Sequence, residues 1–232
     1  MNILFGGNGR IAKRSERNVL RPASFTAGGL LLATVIVGSL AGCGATRPMQ
    51  YYQLTVPADV HHAETNASGI SLALGPLVAS HLYREDRIVF SSGPQQMGTY
   101  EFQRWTEPPA EMIEEVLLRQ LRASNRYREV FTQRSSNRAD YVLRGRLYDF
   151  KEVSGSSLQA RVTVEFELKD TKSGSTVWSH YYSHDEPVSG KDVPAMVAAL
   201  DRNVQRGVGE IRASLEQYFS GLPPSNNSGT DR

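Results

Sequence analysis

The stretch LQARVTVEFELKD, Leu158 to Asp170, alternates without a break. Leu158, Ala160, Val162, Val164, Phe166 and Leu168 fall on one side; Gln159, Arg161, Thr163, Glu165, Glu167 and Lys169 fall on the other. Successive side chains of a β-strand point to opposite faces, so the pattern predicts a long strand with one buried and one wet face. Such a strand belongs to an antiparallel region open to water on one side, and its apolar face needs a cover.

The flanking sequence supplies neighbours and a cover. YVLRGRLYDFKEV precedes the alternating stretch, and a TKSG turn leads into STVWSHYYSHD, which predicts a three-stranded meander of roughly ten-residue strands. Trp178, His180 and Tyr182 share one face of the last strand and Tyr181 the other; the row reads as cross-strand packing rather than a ligand site. Next comes a helix with Asp192 as its cap and Pro194 in its first turn. Val193, Val197, Leu200, Val204, Val208, Ile211, Leu215 and Tyr218 recur at helical spacing until SGLPP stops the pattern. Gly207 and Gly209 in its middle suit close packing. This helix is expected across the buried face of the meander.

Earlier in the chain, YYQLTV (Tyr51 to Val56) reads as a strand, and ISLALGPL as another that stops at Gly75-Pro76. Arg87 to Ser91 and Met97 to Phe102 are two short strands around a turn, with Gly98 marking a bulge or a close backbone approach. EPPAEMIEEVLLRQLRASN predicts a helix entered at Pro109, with Ile113, Leu117 and Leu121 on its apolar stripe. Glu111, Glu114 and Glu115 lie toward its start and Arg119, Arg122 and Arg126 toward its end, which complements the helix dipole. Glu114 and Glu115 point about 100° apart, so they do not form a catalytic carboxylate pair. The fold class is a mixed α/β (α+β) domain: a largely antiparallel sheet with two main helices.

Ahead of this domain, Arg10, Lys13, Arg14, Arg17 and Arg21 precede FTAGGLLLATVIVGSL, Phe25 to Leu40, which carries no charge. A basic segment, a short apolar segment and small residues before a cut describe an export signal. Phe25 to Gly42 is also near the lower length for spanning a bilayer, so an uncleaved anchor is the alternative. The sequence divides into a signal peptide (1–42), a tether (43–50), a domain (51–222) and a tail without a hydrophobic anchor that is expected to be disordered (223–232). The sequence carries a net charge of +2, but residues 1–42 hold five basic groups and one acidic group, leaving −2 from Cys43 onward. No clustered basic face remains to mark a nucleic-acid partner.

Chemistry-bearing motifs are sparse. His61–His62 are adjacent in a loop without an HxxxH or cysteine companion, which is not metal-ligand spacing. FGGNGR lacks the spacing and the Lys-Ser/Thr end of a phosphate loop, and GxSxG, HExxH and CxxC do not occur. No catalytic residue, metal or cofactor is expected, and the chain reads as a non-enzyme.

Two resemblances extend this reading. Leu40-Ala41-Gly42-Cys43 resembles the lipobox of bacterial lipoproteins. That resemblance implies signal-peptidase recognition at Leu40, Ala41 and Gly42, lipidation of the Cys43 thiol and acylation of the new amine. Several acyl chains hold a protein on a membrane far better than one. LALGPLVASHLYREDRIVFSSGPQQMGTYEFQRWTEPPAEMIEEVLLRQLRAS, Leu72 to Ser124, resembles the ABC-type transport auxiliary lipoprotein family, the paraquat-inducible protein C-like, MCE-associated lipoproteins. Gly75-Pro76, REDRIVF, the tyrosine of TYEF, Trp105 before EPP and the amphipathic helix carry the match. It continues through the meander to the last helix.

The family resemblance implies a sheet with two helices similar to the amino-terminal domain of TolB. It also implies a periplasmic accessory role in lipid transport, with an MCE-domain protein and an ABC permease and ATPase as partners. Gly44 after the cysteine favours the outer membrane, with the inner membrane as the alternative, and self-association is compatible with the family. Tyr100 and Trp105 are candidate exposed contacts for a partner, with core packing as the competing role. Rival readings are an assembly factor for lipopolysaccharide export, a TolB-like scaffold, or a lipid-anchored hydrolase.

Overall fold

The computed structural model describes residues 47–56, 68–134 and 137–222. The leader, Leu40, Ala41, Gly42, Cys43, the His61–His62 pair and the tail lie outside them. The alternating stretch is strand β7 (Gln159–Asp170), between β6 (Tyr141–Val153) and β8 (Thr176–Pro187). Both pairings are antiparallel along nearly the whole strand, so the meander forms as the alternation requires. Before it come β1 (Gln50–Tyr52), β2 (Ser68–Ala79), β3 (Arg87–Gly93), β4 (Gln96–Trp105), helix α1 (Pro109–Ala123) and β5 (Tyr127–Thr132); after it comes α2 (Val193–Ser220).

All eight strands form one mixed sheet. The order β1-β4-β3-β6-β2-β5 runs along one side of β6, and β7 and β8 continue on the other. β6 is long enough to pair in parallel with β2 along its first half and with β3 at its last two residues. β1–β4 and β2–β5 are also parallel, while the hairpin β3–β4 is antiparallel.

β5 has no counterpart in the sequence expectation, and two further strands differ from it in extent. β2 does not stop at Gly75-Pro76; it crosses them through a register shift between Leu74 and Leu77 and runs on to Ala79. A bulge is where a strand tolerates a proline that cannot donate to the ladder. The first strand is shorter than expected. β4 ends at Trp105, so nothing remains to pair with Gln53–Val56. That stretch is instead held by α2: Thr55 N–H donates to Asp201 Oδ1 at 2.9 Å, and Gln205 Nε2 donates to the Thr55 carbonyl at 2.7 Å.

Both helices lie on the apolar side of the sheet, α1 against β2 and β5 and α2 against β7 and β8. Ala160, Val162, Val164, Phe166 and Leu168 are buried beneath Met196, Leu200, Val204, Val208, Ile211 and Leu215. Full burial of a Val, Leu, Ile or Phe side chain is worth roughly 1.5–3 kcal/mol, so this layer dominates stability. Asp192 caps α2 by accepting from Ala195 N–H at 2.9 Å. A β-carbon at Gly207 would stand 2.7 Å from the Tyr182 ring, which explains why a helix interior carries glycine there. Gly98 likewise lets the Phe90 ring lie on the backbone, 2.6 Å from where a β-carbon would be.

Asn203, fully buried, pins α2 to the sheet. Its Nδ2 donates to the carbonyls of Ala160 and His184, each at 2.8 Å, and its Oδ1 accepts from the Tyr182 hydroxyl at 2.6 Å. Trp178 donates to Ser214 Oγ at 3.2 Å and stacks on His180 with ring centroids 5.9 Å apart. The Trp-His-Tyr row is therefore packing against α2.

Candidate functional site

Helix α1 meets the sheet at the bulge of β2. Because the bulge takes Leu77 N–H off the ladder, that donor needs another acceptor. Glu114, one turn into α1, supplies it through Oε1. This contact stitches the helix to the strand.

Beside this contact lies a groove of about 460 Å³. Its floor is apolar: Leu54, Leu74, Met112 and Leu118, all buried, with Val56 and Pro76 exposed at the edge. Its rim is charged. Glu107, Glu111, Glu114 and Glu115 line it from α1 and the turn before it, and Arg119 and Arg134 are the basic residues. Arg119 is engaged by Glu115 one turn away. Glu107 and Glu111 are exposed and have no ion pair among the described residues.

Burial pushes the Glu114 carboxyl above its ordinary 4.5, and neighbouring Glu111 adds to the rise; the Leu77 N–H and Arg134 pull the other way. Four carboxylates against two guanidiniums, over an apolar floor, make a site that attracts cations with an apolar neighbour. Glutamates at a helix start are legible in the sequence, but their meeting with Leu54, Leu74 and Thr132 depends on contacts distant in the chain.

The two aromatic candidates from the sequence are not an exposed pair. Trp105 is only 1% exposed and packs on Phe150 with ring centroids 5.3 Å apart, so the expectation of an exposed contact there is corrected. It is the last residue of β4. Its Nε1 has no hydrogen-bond partner among the described residues. Tyr100 is half-buried; its hydroxyl donates to Glu152 Oε2 at 2.8 Å and its ring meets Phe90 edge-on. Burial, then the bond to Glu152, drives the Tyr100 phenol far above its ordinary value.

The exposed aromatics lie elsewhere. Tyr148 and Tyr181 stand on the open face of the meander, 45% and 61% exposed, with ring centroids 6.3 Å apart. Alternation placed Tyr181 there. Tyr148 arrives through a bulge between Leu147 and Asp149 that no sequence signal marks.

No group of three or more His, Cys, Asp or Glu side chains could hold a metal among the described residues, and none of their helices is long and apolar enough to cross a membrane.

The fold is similar to solved structures. Protein XCC0632 from Xanthomonas campestris superposes with a TM-score of 0.65 at 19% identity, covering 74% of this chain and 97% of its own. The structure of an uncharacterized protein gives 0.59 at 12% identity, with 73% and 99% covered. These likenesses show the fold alone. No curated protein matches the sequence. A family model described as the ABC-type transport auxiliary lipoprotein component matches residues 52–212.

Proposed function

The chain belongs to the ABC-type transport auxiliary lipoprotein family, and from that membership we propose a lipid-anchored periplasmic accessory subunit of an MCE/ABC-type lipid transport system, which docks the MCE component at the outer membrane. The observation that carries the reading is the family match over 52–212, which begins shortly after the sequence Leu40-Ala41-Gly42-Cys43. Residues 1–42 are removed, Cys43 is acylated, 43–50 form the tether, 51–222 the working domain and 223–232 the tail. The role is accessory rather than catalytic: the subunit holds a partner in place and transfers no group itself.

The tether is short. Seven peptide steps separate Cys43 from Gln50 at the start of β1. At no more than about 3.5 Å each, they keep the sheet within roughly 25 Å of the acylated residue. A domain confined to that layer meets membrane-bound partners at a high effective concentration, so modest contacts suffice.

Affinity purification of the lipidated protein from detergent-solubilised membranes tests the reading. It expects an MCE-domain protein with its permease and ATPase. Recovery of a lipopolysaccharide export barrel in their place would reassign the subunit.

A further inference from the structure

Resting on that reading, we infer that the groove between α1 and the β2 bulge is the docking site for a partner-protein segment that carries lysine or arginine beside an apolar side chain. The groove offers two chemistries at once. Val56 and Pro76 present exposed apolar surface for an apolar side chain, above the buried Leu54, Leu74 and Met112. Glu107 and Glu111 stand at the rim, exposed and without an ion pair among the described residues. Charges arranged to complement a partner select that partner and speed encounter.

Other occupants fit less well. An anionic phospholipid would bring its phosphate against four carboxylates and two guanidiniums, one of which Glu115 already engages. The chain's own residues 57–67 contain Asp59 and Glu64 and neither lysine nor arginine, so their charge opposes the rim. About 460 Å³ falls within the size of sites that hold a small number of side chains or a small ligand, roughly 300–1,000 Å³. A short segment of a partner fills it; a whole domain face does not.

Site-specific photo-crosslinking in cells tests this. A photoreactive residue replaces Gln53 or Thr106 at the groove in the full-length, lipidated chain, or Ser179 on the open sheet face as the reference position. Crosslinked peptides are then identified by mass spectrometry. The expected result is a peptide of the co-purifying transport component, containing lysine or arginine, captured from Gln53 and Thr106 and not from Ser179. Glu107→Lys with Glu111→Lys lowers the yield at least about tenfold, and the paired Gln substitutions lower it less, as expected for a charge-steered contact. Thermal melts of both double variants separate that loss from misfolding.

Capture of residues 57–67, of a second copy of this chain, or of lipid overturns the proposal. Capture of the transport component from Ser179 alone overturns it while leaving the accessory function standing. Failure to recover any transport component from any position overturns both.

Discussion

Along β7, Phe166 and Leu168 are sealed under α2, while Glu165 and Glu167, one residue to either side, face water. The covered face spends its polar groups internally: Asn203 meets two carbonyls and the Tyr182 hydroxyl. The open face also satisfies itself, but across strands. Arg161 holds Asp185 through two bonds of 2.7 and 2.6 Å, Thr163 and Ser183 share a hydrogen bond at 3.0 Å, and Tyr148 donates to Glu165 at 2.8 Å. Arg146 lies 6.0 Å from the Tyr148 ring. The polar groups named on these two faces find their partners within the chain. The groove beside α1 differs: Glu107 and Glu111 stand exposed on its rim with no ion pair among the described residues.

The contrast can be broken at graded cost. The largest effect is expected from Phe166→Ala, which empties the centre of the covered face and should destabilise the fold by about 3–5 kcal/mol in chemical denaturation. A loss below about 1 kcal/mol would mean the layer under α2 is loosely packed. Asn203→Leu keeps the branched shape but removes the side-chain donor to two carbonyls and leaves the Tyr182 hydroxyl only the residue-203 carbonyl at 3.2 Å, and should cost roughly 2–4 kcal/mol.

At the groove, pH separates a strained carboxyl from a stabilising one. A carboxyl whose folded value stands above its unfolded value costs stability when charged. For Glu114 that cost sets in as pH rises above the ordinary 4.5. Glu114→Gln retains an acceptor for Leu77 N–H and removes the titration. The variant should therefore gain stability relative to the wild type as pH rises through that window, read as the difference between two melting curves. Asp140, Asp185 and Glu186 shift the opposite way, downward, and are common to both proteins, so they cancel in the difference.

The smallest effect belongs to the open face. A double-mutant cycle on Arg161 and Asp185, both about one-third exposed, should return no more than about 1 kcal/mol of coupling. A larger value would show that this face is drier than its exposure suggests.

The same contrast marks what the sequence discloses. Wherever one face is buried along a whole element, periodicity reports it: β7 from its alternation, and α2 from its apolar spacing and the Asp192 cap. Local geometry is legible too where a residue type has one strong reason to be present, as Gly98 under Phe90 does. β5 leaves no alternation in the sequence, because only Tyr127 of its six residues is buried. Pro76 mimics a strand end in the middle of β2, and the pairing with β6 shows the bulge. The burial of Trp105 is not local: its packing against Phe150 joins β4 to a strand far along the chain. The groove combines residues from Gln53 to Arg134, and no window of sequence contains it.

The proposed attachment through Cys43 is the account's central claim, and intact-mass measurement of the protein extracted from the membrane fraction tests it most directly. The expected species begins at Cys43 and carries the added mass of its acyl chains. A polypeptide that still begins at Met1, bearing no lipid, would contradict it.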